Sequence, residues 1–482
     1  MIIKYEERLL LQSRKEGKMT MLTKARSKLS ALIQKNLSGE CFSFKSLTVL
    51  FLPLLVDQTM VAILNIINSS MVSSSGPGAV AAVNMVDSIN FFLMNFFIAV
   101  ATGGTVVVAQ YIGRFEPKKA GEAAAQSILS CTLCALLIGV LIIACSDPLL
   151  NVLFGQAEPE VMNNARIYLI GCCISYPGFA VFQAVSGALR GMGDTRASMM
   201  LSIGMNVIIV ILNFIFINGV GLGVLGVTFS LNIARLIAAV AAVFYLLHTR
   251  HELCITYKHF LHFSKSMQKS IMLIGLPSAS EQMFFHGGKI LTQTFIVSLG
   301  TLSMTAYAIS MSMLGLFQVP GNALNLAIMT VVGQCIGAGN VKEAKKFMHS
   351  FIIAAGVLST LICIVMLPFS PLIFQMYSPP DGIGFETFAC LIVAIIGTPF
   401  LWSMAFITPS ALRAAGDAKF TSIAAMLSMW IVRVMLGYLL GIVFGFGVIG
   451  VVSAMVLEWG VRALIFTLRK RGTKWYQHKV IE

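Results

Sequence analysis

The sequence predicts an all-α polytopic membrane protein, with twelve transmembrane helices in two pseudo-symmetric lobes of six. Three observations carry that prediction. The 482 residues are 57% hydrophobic and only 11% charged, whereas about a quarter of a soluble domain is charged. Long apolar runs follow one another along the chain. The second half of the sequence then rewrites the first.

A helix that crosses the hydrocarbon core needs about 20 mostly apolar residues. Runs of that kind lie at 47–69, 79–111, 123–146, 161–188, 198–217 and 223–247, and again at 271–296, 302–335, 347–373, 386–410, 420–441 and 446–468. Their length favours membrane spans over the shorter core helices of aqueous proteins. The expected organisation is a basic N-terminal segment (1–46), an N-lobe of spans one to six (47–247), a linker (248–270), a C-lobe of spans seven to twelve (271–468) and a tail (469–482). The N-terminal segment lacks the short apolar core of a cleavable signal and is expected to be a solvated tail, the alternative being a basic amphipathic helix on the anionic inner leaflet.

The net charge of +14 could suggest nucleic acid if it were clustered on a polar face. Instead the Lys and Arg residues sit in short gaps between apolar runs. Of the 34, only Arg166 falls in a gap on the second side of the membrane, and Arg235, Lys289, Arg433 and Arg462 fall within spans. All the rest lie on the first side, Arg190 and Arg413 among them. Basic loops stay cytoplasmic, so both termini are expected inside a cell membrane, with no nucleic-acid partner. The ten cysteines form no disulfide or zinc framework. Cys131 and Cys134 make a C-x-x-C inside an apolar run, where packing explains them better than redox chemistry.

The two halves match at an offset near 224. Leu52-Pro53 corresponds to Leu276-Pro277, and Asp57-Gln58 to Glu281-Gln282. Gln110-x-Ile112-Gly113 corresponds to Gln334-x-Ile336-Gly337, and Gly223-Val-Leu-Gly-Val227 to Gly447-Val-Ile-Gly-Val451. With a slip of one residue, Ala188-Leu-Arg190 and Gly193-Asp194 correspond to Ala411-Leu-Arg413 and Gly416-Asp417. Six spans per half is an even number, so the repeats run parallel, related by an axis along the membrane normal. Two halves in one chain suggest a transporter that rocks about a central cleft, and a monomer.

The candidate site residues are Asp57, Gln58, Glu281, Gln282, Asn213 and Lys289. Asp57 and Glu281 are repeat mates near the bilayer midplane, where a charge is expensive. Their functional reading is a proton or sodium coupling site, or a counter-ion for a cationic substrate. The plainer reading is a hydrogen-bonded carboxyl that packs helices. Lys289 follows Glu281 by eight residues, about 12 Å along a helix and too far for contact. It would meet an anionic substrate group, or snorkel to the interface. Asn206 and Asn213 share a face of span five and would bind an ion or a neighbouring helix. His286 is expected to be packed rather than to ligate a metal. Prolines 53, 177, 277, 320, 399 and 409 should kink their spans. No cofactor and no metal are implied, and no pairing of nucleophile, base or metal motif suggests an enzyme.

These features resemble the multidrug and toxic compound extrusion (MATE) transporters over residues 45–468. The Gln-x-Ile-Gly motifs after spans two and eight, and the Ala-Leu-Arg and Gly-Asp motifs after spans four and ten, carry the likeness. The resemblance implies a V-shaped pair of lobes that exports small organic, often cationic compounds in exchange for protons or sodium. Under it, Asp57 matches the span-one aspartate of the N-lobe cation site, and Glu281 the span-seven glutamate of the NorM-like branch. Two departures stand out. The family's Asn-x-x-x-Asp in span five reads Ile209 and Asn213 here, and residues 388–412 contain no acidic residue. The competing expectation is export or flipping of anionic, zwitterionic or lipid-linked molecules, which Lys289, Arg235 and Arg433 would support if they line the cavity. A passive channel would dissipate gradients instead of using them.

Overall fold

The computed structural model describes residues 36–73, 77–155, 158–249, 255, 259–260, 263–377 and 382–481. The basic segment up to residue 35, and the linker residues between 250 and 262 apart from 255, 259 and 260, lie outside the described residues. Leu50–Glu482 forms one compact unit.

Twelve long helices carry the fold. The first six are α1 (Phe44–Ser73), α2 (Pro77–Gly113), α3 (Pro117–Ala144), α4 (Pro159–Met192), α5 (Thr195–Gly219) and α6 (Gly223–Thr249). The second six are α7 (Lys265–Ser298), α8 (Thr301–Gly337), α9 (Val341–Met366), α10 (Gly384–Ala414), α11 (Ala418–Val443) and α12 (Gly447–Arg471). Eleven are long and apolar enough to cross a membrane. The other is α7, which has the length, but Glu281, Gln282, His286, Lys289 and Gln293 dilute its apolar character. The helices run a few residues past the expected spans because their polar ends still satisfy their own backbone.

Two short helices, Ser146–Phe154 and Ser370–Met376, were not expected. They begin at repeat-equivalent positions, so the duplication extends beyond the spans. The helix ends follow local chemistry. Pro117 and Pro159 open helices where a missing N–H costs nothing. Asp194 and Asn340 cap α5 and α9 by accepting backbone N–H groups at 3.3 and 3.1 Å. Gly193 and Gly416 end α4 and α10 with φ of +92° and +101°, which a side chain disfavours. In each, the glycine N–H donates to Arg190 O or Arg413 O, and the following Asp N–H to Leu189 O or Leu412 O. The Gly-Asp motif is therefore a helix stop used once per half. Pro53, Pro177, Pro277, Pro320 and Pro409 lie inside helices, and Pro399 sits in a π-helical turn of α10.

The lobes meet mainly through α2, which packs on α4 in its own half and on α7 and α8 in the other. Small residues permit this approach. A Cβ on Gly103 would lie 2.3 Å from Ile271 O, and one on Gly275 would lie 3.1 Å from Val100 O. The contact is tightest where α2 and α8 end. A Cβ on Gly113 would sit 2.0 Å from Gln334 O, and one on Gly337 would sit 2.0 Å from Gln110 O. The Gln110 side-chain amide donates to Ala414 O at 2.8 Å, and that of Gln334 to Gly191 O at 2.9 Å. Each half thus sends the same glutamine to the end of the other half's motif helix. The two lobes interlock at the membrane face that carries loops 114–116 and 338–340.

Candidate functional site

Glu281 lies on α7, 5% exposed, and is not a solitary charge. Arg413 Nη1 on α10 donates to its Oε2 at 2.9 Å, and the Ser422 hydroxyl on α11 donates to the same oxygen at 3.1 Å. Arg462 Nη2 on α12 donates to Oε1 at 3.4 Å. Arg462 also pairs with Glu458, which is fully buried and accepts from the Ser428 hydroxyl at 3.2 Å. Two carboxylates and two guanidiniums therefore neutralise one another in the core of the C-lobe. Pairing of this kind is what makes charge tolerable at such depth.

Asp57 occupies the repeat-equivalent place on α1 and is 4% exposed. Its setting differs. Arg190 is the cation within electrostatic reach, and Ser202 is the hydroxyl beside it. Asp57 Oδ1 has no hydrogen-bond partner among the described residues. Arg190 and Arg413 close the same Ala-Leu-Arg motif, so each half sets its motif arginine against its own acid. Both arginines, expected in the gaps after spans four and ten, stand instead in the last turns of α4 and α10. There Arg413 pairs with Glu281, and Arg190 lies within electrostatic reach of Asp57.

The other candidates separate. Gln58 and Gln282 are half-buried beside the two acids. Asn213 is buried, and its side-chain amide donates to Asn68 Oδ1 on α1 at 3.2 Å, the helix-to-helix bond that was one of its two readings. Asn206 instead bonds back to Ser202 O on its own helix. His286 packs edge-on to Phe91 of α2 with ring centres 5.0 Å apart. Cys131 is buried within α3, as a packing residue should be.

Lys289 takes part in none of the ion pairs around Glu281. It lines a cavity of about 470 Å³ in the C-lobe with Arg433. Phe285, Tyr307, Trp402 and Phe406 give the cavity flat walls. A second polar cluster in the N-lobe escaped the sequence reading. Asp87 Oδ1 accepts from Tyr168 Oη at 3.0 Å and from the Asn90 amide at 3.2 Å, and Tyr176 Oη donates to Asn90 Oδ1 at 2.6 Å. Arg235 Nη1 donates to Ser175 Oγ at 2.6 Å close by. Arg235 thus belongs to the N-lobe, apart from Lys289 and Arg433.

The MatE family model matches residues 53–215 and again 277–439. The second match begins 224 residues after the first, which is the offset of the internal repeat. This chain is a MATE family transporter. It is 28% identical over 454 residues to an uncharacterised transporter of Bacillus subtilis, YisQ, covering 92% of this chain and 97% of YisQ. The fold matches the outward-facing conformation of a multidrug resistance MATE transporter with a TM-score of 0.82 at 20% identity, over 89% of this chain and 95% of that one. It also matches a transporter from Pyrococcus furiosus with a TM-score of 0.79 at 20% identity and the same coverage. The binding pocket of that protein is described as having reverse polarity, suggesting a different function.

Proposed function

We propose that this MATE transporter is a secondary active exporter that moves small amphiphilic organic compounds out of the cell, as a monomer, while H+ or Na+ enters in exchange. The observation that carries the reading is Asp57: a carboxylate buried at bilayer depth with one oxygen unpartnered among the described residues. An unsatisfied charged acceptor is costly in that setting. A proton or a sodium ion removes the cost, so the site rests more easily when loaded. Arg190 competes for the same carboxylate and would regain it when the cation leaves. Occupancy of Asp57 can then bias two packings of the N-lobe, which is what coupling requires.

The lobe interlock supports alternating access. With α2 and α8 locked at Gly113 and Gly337, the face carrying loops 114–116 and 338–340 is closed. Lys and Arg fill the gaps on that side, which supports reading it as the cytoplasmic face, with both termini inside and the cell membrane as location. Release of the interlock would open the cleft inward.

The expectation of cationic cargo came with the family resemblance, and Asp57 and Glu281 as the only charges of the cleft would have favoured it over an anionic cargo. Glu281 is already matched by Arg413 and Arg462, so its proposed part is to hold α7, α10 and α12 in register. Multidrug names among similar proteins support small organic cargo in general, and the reversed pocket of another leaves the sign of its charge to this chain's own residues.

The test uses protein in liposomes under an imposed pH gradient, and separately under a sodium gradient. Two xanthene dyes of similar size and opposite charge, rhodamine 123 and carboxyfluorescein, serve as cargo. Uphill movement of either dye under one gradient supports the reading and names the ion. Gradient-independent leakage of both would make the protein a channel.

A further inference from the structure

The cavity beside Lys289 is built to donate. Its charged lining residues are Lys289 and Arg433, and no Asp or Glu borders it among the described residues. Arg433 is 4% exposed, yet its Nε has no hydrogen-bond partner among the described residues. The indole N–H of Trp459, a residue 3% exposed, is enclosed and has no partner among the described residues. Lys289 makes no ion pair among them either, and it lies close enough to Arg433 for the two charges to feel each other. Two like charges beside one cavity repel each other unless an anion lies between them. The nearest carboxylates offer no relief, because Glu281 and Glu458 are taken by Arg413 and Arg462.

Local structure holds this arrangement open. Arg433 sits in a π-helical turn, Ser428–Val434, which shifts its side chain off the regular face of α11. Gly288 on α7 leaves room for the Met429 side chain of α11, whose Cε would lie 2.7 Å from a Cβ there. Lys289 and Arg433 are thereby carried to the same wall. Tyr307, Phe406, Met304 and Met311 add aromatic and thioether surface to the lining. The volume, about 470 Å³, falls in the range of small-molecule sites.

We infer that this C-lobe cavity binds an amphiphilic organic anion, its carboxylate, sulfonate or phosphate group held by Lys289 and Arg433 and its apolar body laid on the aromatic wall. The inference rests on the exporter reading only for the claim that the bound molecule is cargo. A cationic amphiphile placed there would meet two like charges, a repulsion that discriminates strongly between ligands.

Binding to purified protein in micelles, read by fluorescence anisotropy, tests the site without any transport. Carboxyfluorescein should bind more tightly than rhodamine 123. Lys289→Gln and Arg433→Gln should each weaken carboxyfluorescein by about tenfold, equivalent to about 1.4 kcal/mol, while Lys289→Arg keeps most of the affinity. Neither Gln variant should weaken rhodamine 123. Unchanged elution on size exclusion shows that the variants are folded, and if Arg433→Gln is not, the Lys289 pair carries the test alone. Carboxyfluorescein affinity unchanged by Lys289→Gln, or wild-type protein that binds rhodamine 123 more tightly than carboxyfluorescein, overturns the anion site and leaves the exporter standing. The intended binding pattern without gradient-driven movement of either dye keeps the anion site and removes the exporter.

Discussion

Glu281 and Arg413 stand 132 residues apart in the chain and meet in a 2.9 Å ion pair inside the C-lobe. The pair ties α7 to α10, and Arg462 extends it to α12. Removing one partner leaves a buried charge uncompensated, which costs about 3–5 kcal/mol in such settings. Glu281→Gln and Arg413→Gln should each lower the denaturation midpoint in micelles. The double variant should lose clearly less than the sum of the two, because both remove one interaction. Strict additivity in the cycle would show that the pair is not a unit.

The Gln110 and Gln334 interlock makes a conformational prediction. An alanine at Gly337 puts a Cβ 2.0 Å from the Gln110 backbone oxygen, a clash that only separation of α2 and α8 relieves. Overpacking of this kind costs about 1–3 kcal/mol, enough to shift a two-state equilibrium by tenfold or more. Spin labels in loops 114–116 and 338–340 should report longer distances for Gly337→Ala than for the native chain. An unchanged distance distribution would mean the interlock is not the gate.

The charge of the cargo has an electrical consequence. Exchange of one entering H+ or Na+ for one departing monovalent anion moves two positive charges inward, whereas exchange for a monovalent cation moves none. A membrane potential acts on each charge with about 2.3 kcal/mol per 100 mV. An inside-negative potential set with potassium and valinomycin should therefore accelerate export of carboxyfluorescein. Export that ignores the potential would contradict the anionic assignment.

The twelve helices, the duplication and the two acids were legible in the sequence because each is a local or periodic signal. Apolar length marks a span, and an acid within one is conspicuous. What a span-by-span reading missed was pairing across helices. Arg190 and Arg413 looked like loop charges because they stand near helix ends, although their recurrence after Ala-Leu in both halves, matching the recurrence of Asp57 and Glu281, could have joined them. Glu458 and Asp87 have no acidic mate in the other half, so the repeat gave no pointer to them. The cavity beside Lys289 depends on a π-helical turn at Arg433 and on Gly288, neither of which has a periodic signature. Asn213 read ambiguously because an amide serves an ion or a helix equally well; here it holds Asn68 of α1.

The central claim is that the carboxylate of Asp57 couples cation entry to export, and it separates two kinds of transport in liposomes. Asp57→Asn keeps the shape and the hydrogen-bonding capacity of the side chain but has no charge to exchange. Wild-type protein should drive a dye uphill under the effective ion gradient. Asp57→Asn should lose that uphill movement, by about tenfold or more, while still exchanging labelled for unlabelled dye at equal concentrations across the membrane. Uphill transport by Asp57→Asn at the wild-type rate would contradict the account.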